Sequence, residues 1–359
     1  MIKNLYILFL LFGIHTVAQN QFPIKIRDFS EKYEAVINRN EKDTLISGRY
    51  EEYIPEYVII ISDKTTKKTV LETYTADFPT YLLDENNEAI PNIKELPYGS
   101  QSVLLYEDYN FDGAKDFALM NGNNSCYSGP SFDIYLAKNN SFEYSESFST
   151  LSNDHCGMFQ IDQQTQTLHT MTKSGCCWHQ FSEFKVVNNE PKVVKIVEEG
   201  MANEPPRLVE VHTEEWKNNK KKESNTLLLP YNTYETDTLL YFDLNKSNKK
   251  VVLFTSDEYL YYALLKPDET IEFYYPQPFY DETKENYVYG NFTYDSDDKT
   301  LKFKNKDAEY ILYETDNSIG IKILTNGKTY DMKGNYETNI GSLTKLRTVK
   351  LLNVLHDNY

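Results

Sequence analysis

The sequence has little of what marks a membrane-spanning or nucleic-acid-binding chain. No apolar run approaches the roughly 18 residues that a transmembrane helix requires. Basic residues are in the minority, with 37 Lys and Arg against 54 Asp and Glu, so the formal net charge is −17. Such a charge repels phosphate backbones and anionic lipid surfaces. We therefore expect no membrane span and no nucleic acid partner.

Several catalytic motifs are also missing. The chain has no His-Glu-x-x-His zinc pattern, no Gly-x-Ser-x-Gly nucleophile turn and no glycine-rich phosphate loop. The segment Ser174–His179 places thiols beside an imidazole, as cysteine hydrolases do, but thiols of exported chains are more often in disulfides. We expect a protein that is not an enzyme. The alternative is an envelope glycan hydrolase whose carboxylates come together from distant parts of the chain.

The first residues have the pattern of an export signal. Lys3 precedes the apolar stretch Leu5–Ile14, and Thr16–Ala18 supplies the small residues of a cleavage site. Residues 1–18 are therefore predicted to be a signal peptide. No cysteine follows the site to carry a lipid, so we expect a periplasmic or secreted protein.

Cysteine is scarce, and its four occurrences fall in one stretch: Cys126, Cys156, Cys176 and Cys177. An even number of cysteines in an exported chain predicts two disulfides. Because adjacent cysteines rarely pair with each other, we expect Cys176 and Cys177 to reach separately to the other two, in an order that the sequence leaves open. A zinc site formed by these thiols with His155 or His179 is the alternative.

Short β-branched and aromatic runs, such as Tyr57–Ile61 and Thr69–Tyr74, alternate with turn clusters along the chain. No long segment has a helical period, so an all-β fold is predicted. Residues 19–200 are expected to form a first β domain and residues 226–359 a second one, a sandwich or barrel. Between them, residues 201–225 are predicted to be a linker, with a strand that has long polar flanks as the alternative, because they carry Pro205-Pro206 and the basic run Lys217–Lys222.

Tyrosine is abundant, with 30 in the chain. Most tyrosines are expected to be strand residues that bury their rings and keep a polar end. The alternative is an exposed aromatic face that binds carbohydrate or protein.

Residues 108–116 form an acidic loop with oxygen-bearing side chains at its first, third, fifth and ninth positions and a free carbonyl at its seventh. Ca²⁺ takes roughly six to eight oxygen ligands at about 2.3–2.6 Å, so this spacing predicts a calcium site. The predicted ligands are Asp108, Asn110, Asp112, Ala114 through its carbonyl, and Asp116.

The context of this loop predicts a structural site rather than a calcium sensor. Gly113, at the sixth position, permits the sharp turn that returns the later ligands to the ion. Val103–Tyr106 before the loop and Phe117–Met120 after it have strand character. Leu119 stands where a helix-loop-helix sensor carries its bidentate glutamate. We therefore expect Ca²⁺ to stabilise the first domain.

The loop, together with Gly129-Pro130 and Ile134–Leu136, resembles the exported bacterial family of the Xanthomonas periplasmic lysozyme inhibitor, which has an Asp-x-Asn-Phe-Asp-Gly-x-x-Asp signature. The likeness covers about residues 103–197. It implies a calcium-bearing, propeller-like first domain and the same five calcium ligands. It also implies a cell-envelope protein as partner, such as a lysozyme, whose positive charge suits an acidic chain. The family's inhibitory loop has no match here.

The second half also resembles a known domain. The segments Tyr259–Tyr262, Ile271–Pro276, Tyr310–Tyr313 and Gly341–Leu343 are similar to a β domain of unassigned function in exported bacterial proteins. Where relatives carry Arg-Phe-Gly after the tyrosines, this chain has Ala263–Leu265. The resemblance implies export and a β fold, and no activity.

Overall fold

The computed structural model describes residues 22–39, 57–75, 80–95, 101–218, 220–231 and 236–357. The predicted signal peptide, residues 1–18, lies outside these ranges. Most of the described chain is strand in antiparallel sheets, which confirms the all-β prediction. In the same ranges, no helix is long and apolar enough to cross a membrane.

The first sheet is a four-stranded antiparallel meander in chain order. Its inward residues alternate along each strand, and Ile37 lies opposite both Ile24 and Ile59. All three are fully buried, as period-two alternation requires of a sheet with one core-facing side. The strands are β1 (Ile24–Ile26), β2 (Tyr33–Arg39), β3 (Tyr57–Asp63) and β4 (Thr69–Thr75).

The second sheet is another four-stranded meander, and its first turn is the acidic loop 108–116. The strands are β5 (Leu104–Glu107), β6 (Asp116–Ser125), β7 (Gly129–Lys138) and β8 (Ser141–Ser145). The helix α1 (Glu146–Asn153) follows and packs on β7. Its Ser149 and Ser152 hydroxyls accept hydrogen bonds from the backbone N–H groups of Ile134 (2.9 Å) and Phe132 (2.8 Å).

Six further strands form a third sheet, in which strands that follow one another in the chain are neighbours. They are β9 (Gln160–Asp162), β10 (Thr167–Ser174), β11 (Trp178–Val187), β12 (Glu190–Met201), β13 (Val209–Lys217) and β14 (Lys220–Leu228). The linker prediction for residues 201–225 is therefore wrong. Its charged residues face one another across a hairpin, with Glu215 opposite Lys222, and Lys221 bridges Glu214 and Glu223. The ion pairs of Lys221 offset the like charges that the register places opposite each other at Glu214 and Glu223.

The contacts divide the chain into two compact units. The first unit holds the residues up to Met171 together with Phe184–Lys192, and the second holds Thr172–Glu183 together with Val193–Tyr359. These limits differ from the expected boundary at residue 200. The core of the first unit draws on the two meanders, on α1 and on Phe159 and Leu168.

Two sheets and a small hairpin make up the rest of the second unit. One sheet contains β15 (Thr236–Asp243), β16 (Lys250–Ser256), β17 (Tyr259–Leu265), β18 (Ile271–Tyr275) and, beside β15, β26 (Ile340–Gly341). The hairpin pairs β19 (Phe279–Asp281) with β20 (Asn286–Val288). The other sheet contains β21 (Phe292–Asp295), β22 (Thr300–Asn305), β23 (Ala308–Glu314), β24 (Ile319–Thr325), β25 (Lys328–Lys333) and β27 (Val354–His356), with β27 parallel to β21.

The sheet containing β16 and β17 is buried on both faces, which explains the continuous apolar runs of these strands. Val251 and Leu253 lie in the core shared with β21–β24, so the two sheets form a sandwich, as expected. Val252 and Phe254 point the other way, into a smaller cluster with Leu208 and Leu227. Strands covered on both sides need apolar residues at every position.

Candidate metal site

The loop 108–116 begins where β5 ends and finishes where β6 begins. Glu107 and Asp116 are opposite each other in this strand pair, so the two ends of the loop are held close together. The backbone enters the left-handed region at Phe111 (φ 63°) and Gly113 (φ 89°). The left-handed conformation at Gly113 carries no Cβ penalty, which explains the glycine at the turn.

Hydrogen bonds within the loop fix its curvature. The Asp108 carboxylate accepts from the backbone N–H groups of Asp112 (3.1 Å) and Gly113 (2.9 Å). The Asp112 carboxylate accepts from the N–H of Ala114 (2.8 Å), and the side-chain oxygen of Asn110 accepts from the N–H of Asp112 (3.2 Å). The chain therefore folds back on its own oxygen-bearing side chains.

Asp116 is the buried member of the set, with no exposed surface. Its carboxylate accepts from the backbone N–H groups of Tyr109 and Ala137, both at 2.8 Å. The pKa of Asp116 is raised to about 6, chiefly by burial and also by the charges of Asp112 and Asp108, against the lowering effect of those two hydrogen bonds. The anion is thus disfavoured unless positive charge lies nearby.

Two turns elsewhere in the first unit hold the loop from outside. The side-chain N–H of Asn110 donates to Asp112 (3.0 Å) and to Asn189 (3.3 Å), which lies between β11 and β12. The Gln163 side chain, between β9 and β10, donates to the carbonyl of Asp108 (3.1 Å). The loop is therefore held to the rest of the first unit by hydrogen bonds to two other turns.

The donors of the loop suit a hard cation in type and in order. They are three carboxylates, one amide oxygen and one backbone carbonyl, the ligands that Ca²⁺ takes in proteins. Across the described ranges, however, no three His, Cys, Asp or Glu side chains are gathered closely enough to hold a metal ion. The donor chemistry fits Ca²⁺, while the carboxylates are engaged by backbone N–H groups.

The expected cysteine pairing is wrong. The structure joins Cys126 to Cys156, with 4.8 Å between their Cα atoms, and joins the adjacent Cys176 and Cys177 to each other. Beside the first pair, the backbone N–H of Cys126 donates to the carbonyl of His155 (3.4 Å), the residue before Cys156. The second pair lies in the turn between β10 and β11. All four cysteines are in disulfides, so no thiol remains as a zinc ligand or nucleophile.

A second acidic turn and the tyrosines have structural roles. Asp295–Asp298 lies at the tip of the β21–β22 hairpin, and the Asp295 carboxylate accepts from the backbone N–H groups of Asp297 and Asp298. The largest fully buried side chains include Tyr109, Tyr261, Tyr262 and Tyr294. These four rings have the buried, structural role that the sequence predicts, whereas others, such as Tyr81 and Tyr127, are exposed.

Sequence reasoning missed a second group of polar residues, on β12 and β13. Glu198, Glu210 and His212 lie in or beside the region interpreted as a linker, and the structure brings them to one cleft. The signal that was available is the polar-apolar alternation of Val209–Lys217, which is typical of a strand with one solvated face.

Comparisons with known proteins define no family for this chain. Neither a protein-family model nor a curated protein sequence matches it. Among solved structures, a Xanthomonas protein described as related to a type IV secretion system is 17% identical, with a TM-score of 0.42; the match covers 58% of this chain and 96% of that one. TolB from Acinetobacter baumannii is 8% identical, with a TM-score of 0.21 and 85% and 64% coverage. Prolyl oligopeptidase B from Galerina marginata is 8% identical, with a TM-score of 0.23 and 87% and 41% coverage.

Proposed function

We propose that this chain is an exported, non-enzymatic protein that binds Ca²⁺ through the loop 108–116 and uses the stabilised β scaffold to bind a protein of the cell envelope. The observation that carries the proposal is the loop itself. Five oxygen donors at calcium-ligand spacing lie in one turn between β5 and β6, and the last of them, Asp116, is a fully buried carboxylate.

Calcium would act on stability. Drawing Asp108, Asp112 and Asp116 together brings like charges close, and a bound cation offsets that repulsion. An ion that binds only the folded chain stabilises it by mass action, by about 2.7 kcal/mol when free Ca²⁺ is about 100 times its dissociation constant. The predicted role is therefore to hold the first unit in shape.

The topology supports a propeller-like arrangement of the first unit. Sheets β1–β4 and β5–β8 are both four-stranded antiparallel meanders in chain order, which is the composition of a propeller blade. The disulfides are consistent with export to an oxidising compartment, periplasmic or extracellular.

Thermal unfolding tests the calcium proposal. We expect excess EDTA to lower the melting temperature of the wild type and to leave Asp112→Ala, already destabilised, unchanged. Asp295→Ala is the matched control, because Asp295, like Asp112, accepts two hydrogen bonds in an acidic turn but lies outside the proposed site. A wild-type melting curve that is the same with and without EDTA would contradict the proposal that Ca²⁺ stabilises the protein.

The partner is proposed to be a cationic wall-active enzyme of the lysozyme type, on the basis of family resemblance and net charge. Opposite charges chiefly accelerate association, so inhibition should weaken as salt screens them. We expect excess purified protein to slow the lysis of bacterial cell walls by lysozyme, and to do so less at high ionic strength. Undiminished lysis at low salt, with calcium present, removes lysozyme as the partner.

A further inference from the structure

A cleft of about 610 Å³ lies on one face of β11–β14, within the second unit. Its position follows from the strand register, because residues directly opposite one another share a face of the sheet. Glu198, His212 and Asn225 form one cross-strand row, and Gly200, Glu210 and Leu227 form the next. All six line the cleft.

Trp178 supplies an aromatic wall at the β11 side. Its Cδ1 lies 3.4 Å from where a Cβ on Gly200 would stand, so the glycine gives the indole room against β12. The neighbouring turn is closed by the Cys176–Cys177 disulfide, directly before Trp178 in the chain. The indole is half-buried and therefore keeps part of its surface available to a ligand.

The charge of the cleft is negative. Glu198 and Glu210 contribute carboxylates from the two cross-strand rows, and none of the residues that line the cleft is a lysine or arginine. The His212 ring is hydrogen-bonded to the side-chain oxygens of Asn225 (2.7 Å from Nδ1) and Glu214 (3.5 Å from Nε2), and both contacts raise the pKa of His212. The Gln180 side chain donates to Glu198 at 2.7 Å, which fixes that carboxylate beside the indole.

We propose that this cleft binds an arginine side chain of a protein partner. A planar guanidinium stacks on an indole face and donates paired hydrogen bonds to carboxylates, which is the combination that Trp178, Glu198 and Glu210 present. The cleft volume lies within the range of small-ligand sites. The inference rests on the proposed function in taking the partner to be a basic protein, and it assigns that partner a contact surface in the second unit, whereas the loop 108–116 belongs to the first.

The experiment is titration with a short blocked arginine peptide and with its citrulline counterpart, which has the same shape without the charge. Binding is followed by tryptophan fluorescence and by calorimetry. The chain has 2 tryptophans, so the signal can be assigned. We expect the arginine peptide to change the emission in Trp216→Phe, which keeps Trp178, and not in Trp178→Phe. The citrulline peptide should bind at least about tenfold more weakly, since the charge-assisted hydrogen bonds are lost.

Substitutions in the cleft test the roles of its carboxylates. Glu198→Gln and Glu210→Gln should each lower the affinity for the arginine peptide by roughly two- to fivefold, which is the range that partly exposed ion pairs contribute. Glu282→Gln, in the turn between β19 and β20, is the control and should have no effect. Far-ultraviolet circular dichroism checks that each variant is folded.

Three results would overturn the inference: equal binding of the arginine and citrulline peptides, an emission change retained in Trp178→Phe, or saturable quenching by a neutral oligosaccharide with none by the arginine peptide. All titrations are run with calcium and with EDTA. If the arginine peptide does not bind while EDTA still lowers the melting temperature, only the arginine site is rejected. A missing melting shift with intact peptide binding rejects the calcium proposal alone.

Discussion

His155 is a titratable side chain held in a half-buried position in the first unit. Its ring lies 6.1 Å from that of Phe184, and it directly precedes the disulfide-bonded Cys156. Burial lowers the pKa of His155, and the nearby Asp154 charge opposes that shift only in part. The folded chain therefore resists protonating this imidazole.

The sign of the resulting pH dependence follows from linkage. Below its ordinary pKa of about 6.5, the imidazole binds more protons in the unfolded chain than in the folded one, so stability falls as pH drops through this window. We expect the wild type to lose more unfolding free energy than His155→Gln between about pH 7.5 and 5.5. Urea unfolding at both pH values measures this loss of unfolding free energy. An equal loss in the wild type and in His155→Gln would contradict the assignment of the pH dependence to His155.

At the scale of elements, the two disulfides should differ in what they contribute. Cys126 and Cys156 are 30 residues apart, whereas Cys176 and Cys177 are adjacent. In the chain-entropy account, a cross-link stabilises by limiting the unfolded chain, and more so for a longer closed loop. The first disulfide therefore restricts the unfolded ensemble far more than the second.

We expect the double variant Cys126→Ser/Cys156→Ser to lose about 3.5 kcal/mol of unfolding free energy, the chain-entropy value for a loop of that length. Cys176→Ser/Cys177→Ser is the matched control and should lose much less. Denaturant titration of both variants and the wild type measures the difference. Equal losses would show that loop length is not the cause.

Most strands could be predicted from the sequence because their signals are local. β3, β4 and β5 coincide within two residues with the predicted runs Tyr57–Ile61, Thr69–Tyr74 and Val103–Tyr106, since each is a β-branched or aromatic run closed by turn residues. The hairpin β13–β14 could not be recognised, because its lysines resemble a solvated linker until Glu214 and Glu223 are placed beside Lys221. The disulfide prediction failed for a different reason: it assumed that adjacent cysteines do not pair, whereas the structure joins Cys176 to Cys177.

The loop 108–116 and the cleft on β11–β14 also differ in how far their residues could be recognised from the sequence. All five donors of the loop lie within nine residues, so their order could be read directly from the sequence. The cleft residues come from separate strands, from Trp178 to Leu227, and share a face only through the register of β11–β14. Period-two alternation indicates which residues share a face of one strand, but not which strands lie beside it.

At the scale of the whole molecule, the negative net charge of the chain bears on the proposed calcium site. A chain with a net charge of −17 repels itself, and its acidic loop concentrates that repulsion at one turn of the first unit. Hydrogen bonds from Asn110 to Asn189 and from Gln163 to Asp108 join this turn to two other turns of the unit. An ion bound there would stabilise the packing of all three.

The most direct test is calorimetric titration of the calcium-free protein with Ca²⁺. The account predicts one ion per chain, binding that is lost in Asp112→Ala, and binding that is retained in Asp295→Ala. No heat of binding in the wild type, or the same binding in Asp112→Ala, would contradict the claim that the loop 108–116 is a calcium site.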